Sequence, residues 1–144
     1  PFWLGVDRTL RDGRLRSAVC AKFGCYNPTH EDETLLIRDE REYEIGPHTD
    51  TQRKVASLLF YLPVDDRLAS AGTSMYRPKR AGFTCEGTKH YAFDGFDCVR
   101  TMPFLPNSLF AFPKTNASFH GVAPFLLDGA RNILLYDIRK QKNG

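Results

Sequence analysis

Hydrophobic positions near the start of the chain recur at the spacing of a helix. Between Asp7 and Phe23 they stand four or five residues apart, with arginines between them. These positions are Leu10, Leu15, Val19 and Phe23. Gly24 suits the end of such a helix, because glycine adopts the left-handed backbone conformation at little cost. The pattern therefore predicts one N-terminal helix over residues 7–23, weakened at Gly13.

After Asn27-Pro28 the pattern changes to short apolar runs that are divided by proline, glycine and Asp-Gly turn signals. Eight runs qualify as strands: Thr34–Arg38, Tyr43–Gly46, Val55–Leu62, Thr73–Tyr76, Phe96–Met102, Ser108–Phe112, Ser118–Val122 and Ala130–Ile138. Eight short strands are typical of a jelly roll, in which two antiparallel sheets pack face to face. We therefore predict a mainly β fold of the jelly-roll type.

The run Val55–Leu62 is apolar on both of its faces, which predicts a strand covered on both sides. The N-terminal helix would cover the outer face of that sheet. We expect residues 1–144 to form one domain, with helical support over about 1–30 and a jelly-roll core over about 34–138. Residues 78–98 are polar and irregular, and we interpret them as a long connection over the barrel mouth and a candidate lid.

Composition narrows the function classes. The 144 residues are 42% hydrophobic and 26% charged, and their net charge is only +3, which argues against a nucleic-acid binder. No apolar run reaches the eighteen residues of a membrane span, and the first residues lack the layout of a signal peptide. The four cysteines are too sparse for a disulfide scaffold, so we expect reduced thiols and a cytoplasmic location.

The segment Tyr43–Asp50 carries the first candidate chemistry. In an extended chain, residues two apart point the same way, so His48 and Asp50 can reach one point while Thr49 faces elsewhere. An imidazole and a carboxylate are two of the three ligands in the facial triad of non-haem Fe(II) oxygenases. A His-x-Asp tripeptide alone is weak evidence for a metal site, so the presence of a third ligand decides the interpretation.

A third ligand from a distant strand is available. His120 lies in the middle of the predicted strand Ser118–Val122, with another apolar strand still to come. We therefore predict that His48, Asp50 and His120 are the metal ligands and the catalytic residues. The other histidines are predicted to be surface residues: His30 and His90.

Arg131 opens the last predicted strand and falls, by alternation, on the same face as Ile133 and Leu135. A guanidinium in the apolar wall of a barrel is costly unless an anion neutralises it. A dicarboxylate co-substrate would do so through a bidentate contact with the guanidinium.

Taken together, these segments resemble the Fe(II)/2-oxoglutarate-dependent oxygenases, particularly their prolyl-hydroxylase-like branch. The resemblance spans about residues 34–138. The segments that carry it are HTD, LLFYLP, GTSMY, FHGV and GAR, in that order. Two positions depart from the family pattern: Ala71-Gly72 stands where Gly-Gly is usual, and Ile133 stands where many relatives have Ser.

The resemblance implies that the jelly roll is a double-stranded β-helix, also described as cupin-like, in which His48, Asp50 and His120 hold iron. Arg131 would pair with the distal carboxylate of 2-oxoglutarate, Tyr61 would contact the same carboxylate, and Tyr43 would line the cavity. Fe(II), 2-oxoglutarate and dioxygen would be required, and 2-oxoglutarate would be decarboxylated to succinate while a small molecule or peptidyl side chain is hydroxylated. The expected partners are 2-oxoglutarate and that primary substrate, with no nucleic acid and no membrane.

Two other interpretations remain open. One is a cupin-like protein that binds a different metal, although such proteins typically begin with His-x-His where this chain has His48-Thr49-Asp50. The other is a catalytically silent jelly roll that serves as a binding module, although a silent member tends to lose one of the ligands.

Overall fold

The computed structural model describes residues 1–141. Its helices and strands follow the chain in this order: α1 (Phe2–Leu10), α2 (Arg14–Phe23), β1 (Glu31–Asp39), β2 (Ile45–His48), β3 (Lys54–Tyr61), β4 (Ser74–Pro78), β5 (Phe96–Thr101), β6 (Ser108–Pro113), β7 (His120–Val122) and β8 (Arg131–Arg139). A single 3₁₀ turn, Phe93–Gly95, precedes β5. Each of the eight predicted strands is present, with ends shifted by up to a few residues.

The N-terminal region contains two helices, so the prediction of one helix over residues 7–23 is wrong in its extent. The break falls at Gly13, whose φ of 88° is left-handed and cannot continue a right-handed helix. Gly24 ends α2 in the left-handed conformation, as predicted. Because of the break, α1 and α2 can follow different directions over the sheet.

The strands form two four-stranded antiparallel sheets. One sheet has the order β1-β8-β3-β6 and the other has the order β2-β7-β4-β5. The connections that cross between the sheets make this a jelly roll, which confirms the predicted fold class.

Strand β3 is covered on both faces, as its apolar pattern predicts. Leu58 is fully buried and packs with Tyr136 and Cys20, so this face of the sheet lies under α2. Leu59, on the opposite face of β3, packs with the core between the two sheets. The helix therefore closes the outer face of the sheet, and the space between the sheets remains for the site.

Two local predictions need correction. The second strand begins at Ile45 rather than Tyr43, because residues 40–43 form a turn in which Tyr43 N–H donates to Glu40 and Glu42 has a φ of 69°. His30, predicted on the surface, is only 9% exposed.

The four cysteines are free thiols, as expected. Within residues 1–141, no helix combines the length and hydrophobicity needed to cross a bilayer.

Candidate metal centre and cavity

The two predicted histidine ligands stand directly opposite each other on neighbouring strands. In the antiparallel pairing of β2 with β7, His48 faces His120, and their ring centroids are 4.4 Å apart. Side chains opposite each other in such a pair project from the same face of the sheet. The pairing therefore brings two residues 72 positions apart in sequence to one point between the sheets.

Both imidazoles are held by a backbone carbonyl two residues earlier. His48 Nδ1 lies 2.9 Å from the Gly46 oxygen, and His120 Nδ1 lies 3.1 Å from the Ser118 oxygen. A neutral imidazole that donates through Nδ1 has its lone pair on Nε2, so we assign both rings this tautomer. Burial lowers the pKa of His48 to about 4, with His120 nearby adding to the effect, and burial also lowers the pKa of His120. Both rings are therefore neutral at pH 7 and present a free Nε2.

Asp50, the third predicted ligand, lies two residues beyond His48. It is 8% exposed, and its Oδ1 lies 4.0 Å from His120 Nε2. Burial by itself would raise the pKa of Asp50, but the positive charge of Lys54 and the hydrogen bond with Ser57 outweigh that effect and lower the pKa. The carboxylate is therefore ionised at neutral pH.

These three residues form a set that can hold a metal ion. One ligand atom from each of His48, Asp50 and His120 lies within 4.8 Å of those of the others. Two neutral nitrogens and one carboxylate oxygen are the donor set of the facial triad, in which the three protein ligands leave other coordination positions open. The predicted ligands are thus brought together in space.

A buried ionic network that the sequence did not reveal surrounds Asp50. Lys54 Nζ lies 3.0 Å from Asp50 Oδ1 and 2.9 Å from Asp137 Oδ2. Ser57 Oγ lies 2.8 Å from an oxygen of each carboxylate, and its single hydrogen can be donated to only one of them at a time. Arg139 Nη2 adds a second cation at Asp137, 3.3 Å from Oδ2. The Lys54 ammonium is therefore shared between two buried carboxylates, one of which, Asp50, is a predicted ligand.

A cavity of about 180 Å³ lies between the sheets and connects the triad to Arg131. It is roughly the volume of six water molecules in the liquid, which suits a small organic ligand. Apolar side chains form much of the wall, among them Leu59, Phe112 and Ile133. Tyr43 also lines the cavity and is 37% exposed, so its ring lies partly in solvent.

Arg131 is only 1% exposed and lines the cavity, as the strand alternation predicts. Its guanidinium already has an anionic partner: Nη1 donates to Asp39 Oδ2 at 2.5 Å. Nη2 makes a longer contact of 3.4 Å with Thr73 Oγ1, while Nε is buried with no hydrogen-bond partner. The buried position of Arg131 predicted an anionic partner, and the structure provides one from the chain itself, Asp39, which was not expected from the sequence.

Tyr61 lies behind Thr73. Its hydroxyl accepts a hydrogen bond of 3.2 Å from the Thr73 backbone N–H, and its ring packs on Phe104, which also stands 5.6 Å from the guanidinium carbon of Arg131. Thr73 lines the cavity, whereas Tyr61 is not among the lining residues. In this structure Tyr61 therefore does not line the cavity itself but supports Thr73, which does.

The long connection between β4 and β5 is fastened along the strand that bears the ligands. Tyr91 N–H donates to the Pro47 carbonyl at 3.0 Å, and Thr49 Oγ1 donates to the Cys85 carbonyl at 2.7 Å. His90 is exposed, as predicted, yet its ring centroid is 4.6 Å from that of His48. The candidate lid is thus anchored, in this structure, to the segment that carries the predicted ligands His48 and Asp50.

Comparison with known proteins places the fold. No protein-family model matches the sequence, and no curated protein matches it. Among solved structures, a Pseudomonas putida prolyl-4-hydroxylase is similar with a TM-score of 0.55 and 16% identity, over 89% of this chain and 62% of that one. An oxidoreductase of the 2OG-Fe(II) oxygenase family from Burkholderia pseudomallei has a TM-score of 0.58 and 17% identity, over 99% and 58% respectively.

A third similar structure is HygX from Streptomyces hygroscopicus, solved with nickel and 2-oxoglutarate bound. Its TM-score is 0.59 at 14% identity, over 94% of this chain and 67% of HygX. These likenesses confirm the jelly-roll fold and, at the level of the fold, the resemblance to prolyl-hydroxylase-like oxygenases. The chain spans about three fifths of the length of the first two proteins.

Proposed function

We propose that this protein is an Fe(II)- and 2-oxoglutarate-dependent dioxygenase of the cytoplasm, and that residues 1–144 form its oxygenase domain. The observation that carries the proposal is the convergence of His48, Asp50 and His120 at a cavity that also contains the buried Arg131. Its partners would be 2-oxoglutarate and a primary substrate, either a small molecule or a peptidyl side chain.

The donor set suits Fe(II). Two neutral imidazoles with free Nε2 atoms and one ionised carboxylate are the ligands that such an iron takes in non-haem oxygenases. In this role His48, Asp50 and His120 hold the ion, and the backbone carbonyls at Gly46 and Ser118 fix the direction of the rings. When bound, the iron supplies the activation of dioxygen that couples decarboxylation of 2-oxoglutarate to hydroxylation.

The far end of the cavity suits a carboxylate. Arg131 Nε is a buried N–H without an acceptor, which is unusual in a folded protein, and Nη2 makes only a long contact. A carboxylate of a small ligand would accept from these donors, whereas Nη1 is engaged by Asp39. We propose that Arg131 binds the distal carboxylate of 2-oxoglutarate, that Tyr61 supports it through Thr73, and that Tyr43 covers the cavity.

The remaining wall has a protective role. Side chains such as Leu59, Phe112 and Ile133 offer no hydrogen bonds and keep bulk water from the space between the triad and Arg131. Phe112 also packs against the ring of His120, with the centroids 4.4 Å apart, and restricts its rotation. The protein therefore contributes ligand geometry, a carboxylate clamp and a largely apolar chamber.

Anaerobic titration with Fe(II) and 2-oxoglutarate tests the proposal through the visible charge-transfer band of the chelate. The wild-type protein should develop the band, and His120→Ala should not. His30→Gln is the matched control, because His30 is as buried as His120 (each 9% exposed) but lies outside the cavity. This control should retain the band.

Removal of the carboxylate clamp needs a balanced variant, because loss of Arg131 alone would leave Asp39 buried and unpaired. We therefore use Asp39→Asn with Arg131→Gln, which should require a much higher concentration of 2-oxoglutarate for the same band. Correctly folded wild-type protein without any band would contradict the proposal and leave the binding-module interpretation ahead. If the wild-type protein does develop the band, stimulated succinate release would identify the primary substrate among candidate compounds.

A further inference from the structure

The counter-ion of Arg131 is built into the sheet. In the pairing of β1 with β8, Asp39 stands directly opposite Arg131, and the two side chains meet at 2.5 Å between Oδ2 and Nη1. Both are buried, with exposures of 7% and 1%. The guanidinium is therefore neutralised by the protein itself before any ligand arrives.

A second carboxylate at Arg131 creates a charge imbalance. Besides Asp39, the ionisable side chains near the guanidinium are two phenols, Tyr61 and Tyr43, and neither is an ammonium or a guanidinium. With 2-oxoglutarate present, two carboxylates would share one cation in a region of low polarity, where like charges repel strongly. A neutral pair thus becomes a net negative cluster unless Asp39 withdraws.

The position of Asp39 allows such a withdrawal. It is the last residue of β1, and the chain turns immediately beyond it over residues 40–43. Its contact with Arg131 involves Nη1, whereas Nε and Nη2 have the capacity to take a new carboxylate. An incoming carboxylate can therefore bind Nε and Nη2 of Arg131 before the contact between Nη1 and Asp39 is lost.

We propose that Asp39 is a specificity-determining residue that competes with the distal carboxylate of 2-oxoglutarate for Arg131. This inference rests on the proposed function. In the ligand-free protein Asp39 stabilises a guanidinium that would otherwise be buried and unpaired. On binding, one carboxylate replaces another, so Asp39 weakens the binding of the dicarboxylate without affecting the 2-oxo acid end of the ligand.

Asp39→Asn isolates this effect, because the amide keeps the shape and an oxygen acceptor for Nη1 but removes the charge. Relief of the repulsion should tighten the binding of 2-oxoglutarate by about tenfold. Pyruvate carries the same 2-oxo acid group without a distal carboxylate, so its affinity should not change. The measured quantity is the ratio of the two dissociation constants.

Asp32→Asn provides the matched control. Asp32 lies on the same strand and is also buried in an ion pair with an arginine, its Oδ2 being 2.9 Å from Arg16 Nη1. It is not part of the cavity lining. This variant should leave the ratio at the wild-type value, whereas Asp39→Asn should change it.

Isothermal titration calorimetry of Zn(II)-loaded protein with each acid tests the inference without catalysis. A tenfold change in the ratio for Asp39→Asn alone supports it. Binding of 2-oxoglutarate to wild type with an unchanged or opposite ratio in Asp39→Asn overturns the inference but leaves the proposed function intact. Failure of every protein to bind 2-oxoglutarate overturns both.

A folding measurement covers the case in which Asp39→Asn does not fold in plain buffer. Succinate, a dicarboxylate without the 2-oxo group, should then supply the missing counter-ion during refolding, and acetate at the same concentration and ionic strength should be less effective. Refolding that depends on succinate supports the exchange. Equal behaviour in succinate and acetate overturns it.

Discussion

Replacement of Lys54 by Met tests how the charge of Asp50 is balanced inside the barrel. The Lys54 ammonium contacts Asp50 at 3.0 Å and Asp137 at 2.9 Å, and the two residues are only 8% and 0% exposed. Met has a similar length and fills the same space, so the change removes the charge with little loss of packing. In the variant Asp137 keeps its contact with Arg139 at 3.3 Å, whereas Asp50 keeps only the hydrogen bond with Ser57.

The expected loss of stability follows from this geometry. Removal of one partner of a buried ion pair typically costs about 3–5 kcal/mol, because the other charge stays buried without compensation. Within residues 1–141, Lys54 is the lysine or arginine in contact with Asp50, so its removal leaves that charge buried and unpaired. We therefore expect the metal-free variant to lose about 3 kcal/mol of unfolding free energy. A divalent ion at His48, Asp50 and His120 would replace the missing positive charge. It should therefore stabilise Lys54→Met more than it stabilises the wild type.

Urea unfolding of the metal-free and Mn(II)-saturated proteins measures both quantities. Lys22→Met, an exposed position on α2, is the matched control and should change neither. Lys54→Met combined with Asp50→Asn removes the unpaired carboxylate as well and should recover much of the loss of stability in the metal-free protein. A loss below about 1 kcal/mol, or equal stabilisation by metal in Lys54→Met and wild type, would refute the reasoning.

Two further predictions concern the same site. Gly72→Ala should cost about 3 kcal/mol or more in urea unfolding, because a Cβ there would stand 1.6 Å from the Met102 carbonyl oxygen; unchanged stability would contradict this contact. Burial lowers the pKa of His48 from 6.5 to about 4, so over this interval the unfolded chain binds a proton that the native state does not. The unfolding free energy of the metal-free protein should therefore fall by up to about 3 kcal/mol as pH is lowered from 6.5 to 4, and His48→Gln should flatten that slope; an equal slope in both proteins would argue against a buried, neutral His48.

The alternation of apolar and polar residues predicted the strands because each lies in a sheet with one face toward the core. It could not place the break between α1 and α2, since Gly13 weakens a helical pattern without showing that its backbone is left-handed. It also missed the burial of His30, which follows from the packing around the start of β1 rather than from any local pattern.

For the site, the spacing of residues along an extended segment can be read from the sequence, but the pairing of residues between strands cannot. His48 and Asp50 share a face because they are two residues apart, and that relation is visible in the sequence. Asp39 is far from Arg131 in the sequence, and Asp137 is far from Lys54. Only the register of the sheet brings each pair close. An argument from charge could state that Arg131 needs an anion, but it could not choose between a ligand and an aspartate of the chain.

Register is therefore the physical origin of the whole site. Three antiparallel pairs carry it: His48 with His120, Asp39 with Arg131, and Ser57 with Asp137. Two of these pairs use β8, where Arg131 and Asp137 lie six residues apart on the inward face, and Ile133 and Leu135 between them line the cavity. A slip of one residue in β8 would turn that entire face outward and remove both the clamp and the support of Asp50. The same hydrophobic alternation that holds β8 in register thus fixes the distance between the candidate metal ligands and Arg131.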